Sequence, residues 1–219
     1  MVTKDVHVKT VLLFVCAAVF AAGADASLYN DPAAMTGFTG RASFDISQSG
    51  SSLRVDVEYA VYAPGTYPGI DLTGGSQYIY AYQVFNSNRS NVAVDFFSVE
   101  IISGASADLI YADDTYGSGI EPSSSHIFAQ SAGFVFAAQN LDPRKWSDVL
   151  IFSSVHSPTT GVGTINGGGL CGMEVLATPS AVPEPATILF IVPGLLISTN
   201  RKRHLSASKT GCRKIVTIK

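Results

Sequence analysis

The stretch Ser52-Leu53-Arg54-Val55-Asp56-Val57-Glu58-Tyr59-Ala60-Val61-Tyr62 alternates apolar and polar side chains. A period of two belongs to an extended strand, not to a helix. Leu53, Val55, Val57, Tyr59 and Val61 fall on one face, and Arg54, Asp56 and Glu58 on the other. The expected element is a strand with one buried and one wet face. Residues 41–48 should pair with it across Ser49-Gly50-Ser51. A second strand is expected over 77–85, with Tyr78, Tyr80 and Tyr82 on a single face. Asn86-Ser87-Asn88-Arg89-Ser90 reads as a hairpin loop leading into a strand over 91–102. Further strands are expected at 108–111, 133–138, 147–154 and 170–177, and no segment from 27 to 180 carries a helical apolar stripe. Gly, Pro, Ser and Asn punctuate the strands at the spacing of an all-β, antiparallel β-sandwich or jelly-roll-like domain. Residues 27–179 are enough to bury a core without a metal or a disulfide.

Charge is scarce and unevenly placed. Charged residues make up 14% of the 219-residue chain, against about 25% in an ordinary domain. Residues 27–182 hold fourteen acids and five bases, a net of −9, whereas residues 201–219 hold seven bases and no acid. An acidic body argues against nucleic acid as partner, because phosphate binding needs clustered Lys and Arg. The basic tail follows an apolar run, which favours anionic lipid over nucleic acid as its contact. No nucleotide-binding glycine fingerprint occurs, and no cofactor is expected.

Both ends read as addresses. Lys4 and Lys9 precede an apolar stretch over 11–22, followed by Ala22-Gly23-Ala24 and Ala24-Asp25-Ala26. This is the layout of a secretory signal peptide over 1–26, with Ala24 and Ala26 as the small residues of the preferred cleavage site. Its partners would be the export machinery and signal peptidase. Near the other end, 180–185 is an extended linker because Pro183 and Pro185 forbid helix. An apolar segment over 186–200 follows, then Arg201, Lys202 and Arg203, then a basic tail over 204–219. The thirteen residues from 186 to 198 would span roughly 20 Å as a helix, against a hydrocarbon core of about 30 Å. The segment is a short transmembrane helix, suited to transient insertion in the inner membrane with its basic cluster on the cytoplasmic side.

The order Val182-Pro183-Glu184-Pro185, apolar run, Arg201-Lys202-Arg203 resembles the PEP-CTERM protein-sorting signal. The resemblance covers residues 180–203. It implies a bacterial exported protein, processed by an exosortase-type membrane protease-transpeptidase. It further implies a destination at the cell surface or in the extracellular matrix, in the setting of biofilm and exopolysaccharide.

The exported body offers few residues for chemistry. The Tyr78, Tyr80, Tyr82 row can fill an intersheet core or stack on sugar rings; core filling is favoured and carbohydrate contact is the alternative. Asp113, Asp114 and Glu121 form an acidic loop with oxygen donors of the kind calcium takes, without EF-hand spacing. Cys171 is expected to be a buried thiol, and His126 and His156 lack any triad or metal spacing. The expected function is a non-enzymatic, structural or adhesive surface protein in contact with extracellular polysaccharide. The alternative is a polysaccharide-active jelly-roll hydrolase or a carbohydrate-binding module, the hydrolase drawing a carboxylate pair from Glu58, Asp95 and Glu100.

Overall fold

The computed structural model describes residues 27–181. The signal peptide with Ala24 and Ala26, the sorting motif Val182–Pro185, the 186–200 segment, Arg201–Arg203 and the tail lie outside the described residues. Within them the protein is all-β. A single 3₁₀ turn at Leu28–Asn30 precedes ten strands. These are β1 Thr39–Gln48, β2 Ser51–Tyr62, β3 Tyr78–Asn86, β4 Phe96–Glu100, β5 Ile110–Asp113, β6 Ser124–Phe128, β7 Ser131–Val135, β8 Val149–Ser154, β9 Pro158–Gly167 and β10 Leu170–Pro179. Among the described residues no helix is long and apolar enough to cross a membrane.

The strands form two five-stranded antiparallel sheets, ordered β1-β2-β3-β8-β5 and β10-β9-β4-β7-β6. This is a β-sandwich-like arrangement, with two strands more than the eight of a jelly roll. The β1–β2 hairpin closes as the sequence suggests, with Gln48 opposite Ser51. Ser49 and Gly50 both take positive φ, 51° and 84°, which is the two-residue turn whose twist matches the flanking strands.

The expected hairpin at 86–90 is not one. From β3 the chain leaves the first sheet and enters the second, where β4 pairs with β7 and β9. Asn86 anchors this crossover by donating from Nδ2 to the carbonyls of Val92 and Leu141, at 3.1 and 2.8 Å. Two strands escape sequence patterning altogether. β6 is short and polar. β9 carries one Pro and three Gly in ten residues, a composition that otherwise reads as loop. Yet β9 is an interior strand between β10 and β4. Its glycines are required by close packing: a Cβ at Gly163 would collide with Leu176, and one at Gly161 with Thr178.

One core joins the sheets. Tyr80, Tyr82 and Phe152 of the first sheet meet Phe97 and Phe134 of the second, all without exposed surface. Tyr80 stacks on Phe152 at 5.0 Å, and Tyr82 tilts against Phe97 at 5.7 Å. The opposite face of the first sheet departs from the expected wet surface. Leu28, Ala60, Tyr62, Tyr67, Ile79, Ala81, Val149 and Ile151 form a second apolar cluster there. It sits beneath chain that includes the 3₁₀ turn, residues 63–77 and the 113–117 turn. That cover explains why Glu58, on the polar side of the β2 alternation, is only 2% exposed.

Candidate functional site

Beside this second cluster lies a cleft of about 600 Å³, lined by Ser27, Tyr29, Arg41, Glu58, Gln83, Phe85, Tyr116, Gly117, Ser118 and Trp146. Strand register builds its floor. Arg41 on β1 stands opposite Glu58 on β2, and Glu58 stands opposite Gln83 on β3. Two residues along β3, Phe85 bridges to Trp146. Side chains on the same face of adjacent strands lie about 5 Å apart, so the register alone brings these residues together.

The polar centre is an ion pair. Arg41 Nη2 donates to Glu58 Oε1, and Ser27 Oγ donates to Glu58 Oε2. The bond from the Glu58 carboxylate raises the Arg41 pKa above its usual value despite partial burial. The guanidinium also lies over the Tyr29 ring, 5.5 Å from its centroid, a cation–π contact that steadies both. Gln83 Nε2 donates to the Ser147 carbonyl at 3.0 Å.

Aromatic rings frame this centre. Tyr29 is 42% exposed and Trp146 is 46% exposed. Trp146 is held firmly through its main chain: its carbonyl accepts from Ile120 N at 2.8 Å. The Tyr116 hydroxyl is committed inward, bonded to Asp31 and, at 2.7 Å, to Tyr62. Its ring is thereby fixed at the cleft wall. Burial, first, and the bonds to Tyr116 and Asp31 hold the Tyr62 phenol far above the usual tyrosine range, and burial with the Asp31 bond raises Tyr116 as well. Neither is an acid or base near neutral pH.

Such a cleft can offer negative aromatic faces to the C–H surface of a ring-shaped ligand and fixed polar groups to its rim. Glu58 is the only carboxylate among the described residues that line it. The carboxylates proposed as partners lie elsewhere: Glu100, at the end of β4 in the second sheet, accepts from Val162 N at 3.0 Å, and Asp95, just before β4, accepts from Gly168 N at 3.1 Å. The structure thus does not assemble Glu58, Asp95 and Glu100 into a hydrolytic pair.

The other sequence candidates are placed as follows. Tyr80 and Tyr82 are fully buried and donate to the carbonyls of His156 and Ala177, at 2.8 and 2.6 Å. They have no ring face for a sugar, and Tyr78 is half-buried against the same core. Cys171 is exposed, contrary to the expected buried thiol. It lies on edge strand β10 opposite Asn166, on the face shared with the exposed Met173 and Val175.

Asp113 is spent on structure. Its carboxylate accepts from Tyr67 Oη at 2.8 Å, Ile70 N at 3.1 Å, Thr115 N at 2.9 Å and Thr115 Oγ1 at 2.6 Å. Four donors occupy the oxygens a calcium ion would need, while Asp114 and Glu121 are exposed. Burial alone pushes the Asp113 carboxyl up, but these bonds outweigh it and hold it below the ordinary carboxylate value. Asp31 behaves likewise: burial raises it, and the Tyr116, Ala33 and Tyr62 bonds together lower it. A depressed folded-state pKa stabilises above the unfolded value and is lost as pH falls through the folded one. Stability should therefore drop below about pH 4. Asp113→Asn should cost about 2 kcal/mol at neutral pH and flatten that acid limb. Urea melts of the two proteins across the acid range check both effects.

The cleft residues that the sequence reading missed are Tyr29, Arg41, Gln83, Phe85, Tyr116 and Trp146. Comparisons with protein-family models, with curated proteins and with solved structures each find no match for this chain.

Proposed function

We propose that this protein is exported, sorted through its PEP-CTERM-like tail to the cell surface or extracellular matrix, and adhesive there through saccharide binding in the Tyr29–Trp146 cleft. The observation that carries the binding role is the framing of a paired Arg41–Glu58 centre by Tyr29, Phe85, Tyr116 and Trp146. Exposed aromatics beside fixed polar groups suit ligands with one apolar face and a hydroxylated rim. The sorting role is supported by the order of signal peptide, Pro-Glu-Pro, apolar run and basic cluster in the sequence. The acidic body and basic tail lie on the sides that the positive-inside rule assigns. The exported domain itself is a β-sandwich of non-catalytic character.

Two measurements test this. Trp146→Ala should leave the far-UV circular dichroism unchanged and weaken binding to extracellular polysaccharide by roughly 30-fold, the ~2 kcal/mol of an aromatic anchor. Unchanged retention on a polysaccharide column would remove the cleft from the reading. The intact mass of the protein from membrane and culture fractions should lack residues 1–26 and everything beyond about Pro185. A membrane-bound species retaining residues 188–219 would replace sorting with permanent anchoring.

A further inference from the structure

The cleft has a neighbour. A second depression of about 130 Å³ is lined by Ser118, Gly119, Ile120, Lys145 and Trp146. Ser118 and Trp146 belong to both linings. Trp146 and Ser118 thus border both depressions, which lie next to one another. The larger cleft lies within the ~300–1,000 Å³ of small-molecule sites. The smaller approaches the ~150 Å³ that accommodates a benzene ring, so it is sized for about one six-membered ring.

Trp146 is mounted as a fixed ridge. Its flanks are tied to β3 by Asn86 N to Lys145 O at 2.9 Å and Ser147 N to Val84 O at 2.9 Å. A second tie runs to residue 120 through Ile120 N to Trp146 O and Asp148 N to Ile120 O, at 2.8 and 3.1 Å. A main chain held on both sides loses little freedom when a ligand stacks on its side chain.

Charge narrows the ligand class. Both cations at the groove are already paired: Arg41 with Glu58, and Lys145 Nζ with Asp142 Oδ2 at 2.7 Å. The body around them carries a net charge of −9 over residues 27–182. A polyanion would meet that field with both lining cations already engaged by carboxylates.

Resting on the saccharide reading above, we propose that the two clefts are subsites of one groove, and that its ligand is a neutral, linear saccharide spanning Trp146. Occupancy of the smaller cleft then depends on chain length. A single sugar fills one subsite, and only an oligomer crosses the ridge.

The test is calorimetric titration of the exported domain with neutral gluco-, manno- and xylo-oligosaccharides from monomer to hexamer, and with oligogalacturonides as acidic counterparts. Affinity should climb by at least about tenfold between monomer and the length that reaches both clefts, then level off. Lys145→Ala, at an exposed residue lining only the smaller cleft, should weaken the longer oligomers more than the monomer and so flatten the rise with chain length. Binding that needs Trp146 but is equal for monomer and hexamer overturns the two-subsite groove and spares the cleft. Tighter binding of the oligogalacturonides overturns the neutral assignment. Absence of binding across the whole neutral series overturns the groove and the saccharide reading together.

Discussion

Tyr82→Ala should destabilise the domain by about 3–5 kcal/mol, the cost of truncating a large buried aromatic to a methyl. Tyr82 sits at the meeting of the sheets, in ring contact with both Phe97 and Phe152 at 5.7 and 5.8 Å. Its hydroxyl crosses to the second sheet and donates to the Ala177 carbonyl at 2.6 Å. Truncation therefore opens a void and removes a hydrogen bond between layers. Tyr82→Phe separates the contributions, because it keeps the ring and should cost only about 1 kcal/mol. Chemical denaturation of the three proteins measures both. A loss under about 1 kcal/mol for the alanine variant would mean that the layers do not meet at this ring.

Gly167→Ala is expected to cost about 3 kcal/mol, more than a methyl at an ordinary strand position. Gly167 ends β9, where the chain from β3 passes over on its way to β4. A Cβ there would run into the carbonyl oxygen of Ala93 and stand 3.2 Å from Val94 Cα. Both obstacles are main chain, so no side-chain rotation relieves them, and overpacking of that kind forces backbone movement. The crossover has little room to move. Asp95 N donates to Asn166 O at 2.8 Å, and Gly168 N donates to the Asp95 carboxylate at 3.1 Å. Thermal unfolding is the direct readout. Gly169→Ala offers a contrast: space around its Cβ is open, and only its positive φ of 79° opposes the change.

How far the fold could be read ahead depended on each strand's surroundings. β2 was legible because one of its faces meets the main core along most of its length, leaving a clean alternation. β9 was not, because the feature that lets it pack, glycine beneath the side chains of Leu176 and Thr178, is the feature that marks loops in sequence. Glu58 misled for a different reason. Alternation reports which face a residue takes, and says nothing of whether distant loops later cover that face. The cleft was less legible still. Its residues run from Ser27 to Trp146 and share no spacing; only the β1–β2–β3 register and the Phe85–Trp146 bridge gather them. The tyrosine row was ambiguous between core filling, the favoured reading, and a sugar platform; Tyr80 and Tyr82 point into the layer between the sheets.

The bond between Ser27 and Glu58 acquires another meaning once the leader is considered. If signal peptidase cuts after Ala26, Ser27 becomes the first residue of the mature chain, and its amide becomes an α-ammonium. Covalent geometry keeps that nitrogen within a few ångströms of the Glu58 carboxylate that Ser27 Oγ already touches. Proteolysis would then do more than free the protein from the membrane. It would install a second positive charge at the rim of the cleft, so that the proposed export step would leave its own chemical mark on the binding surface.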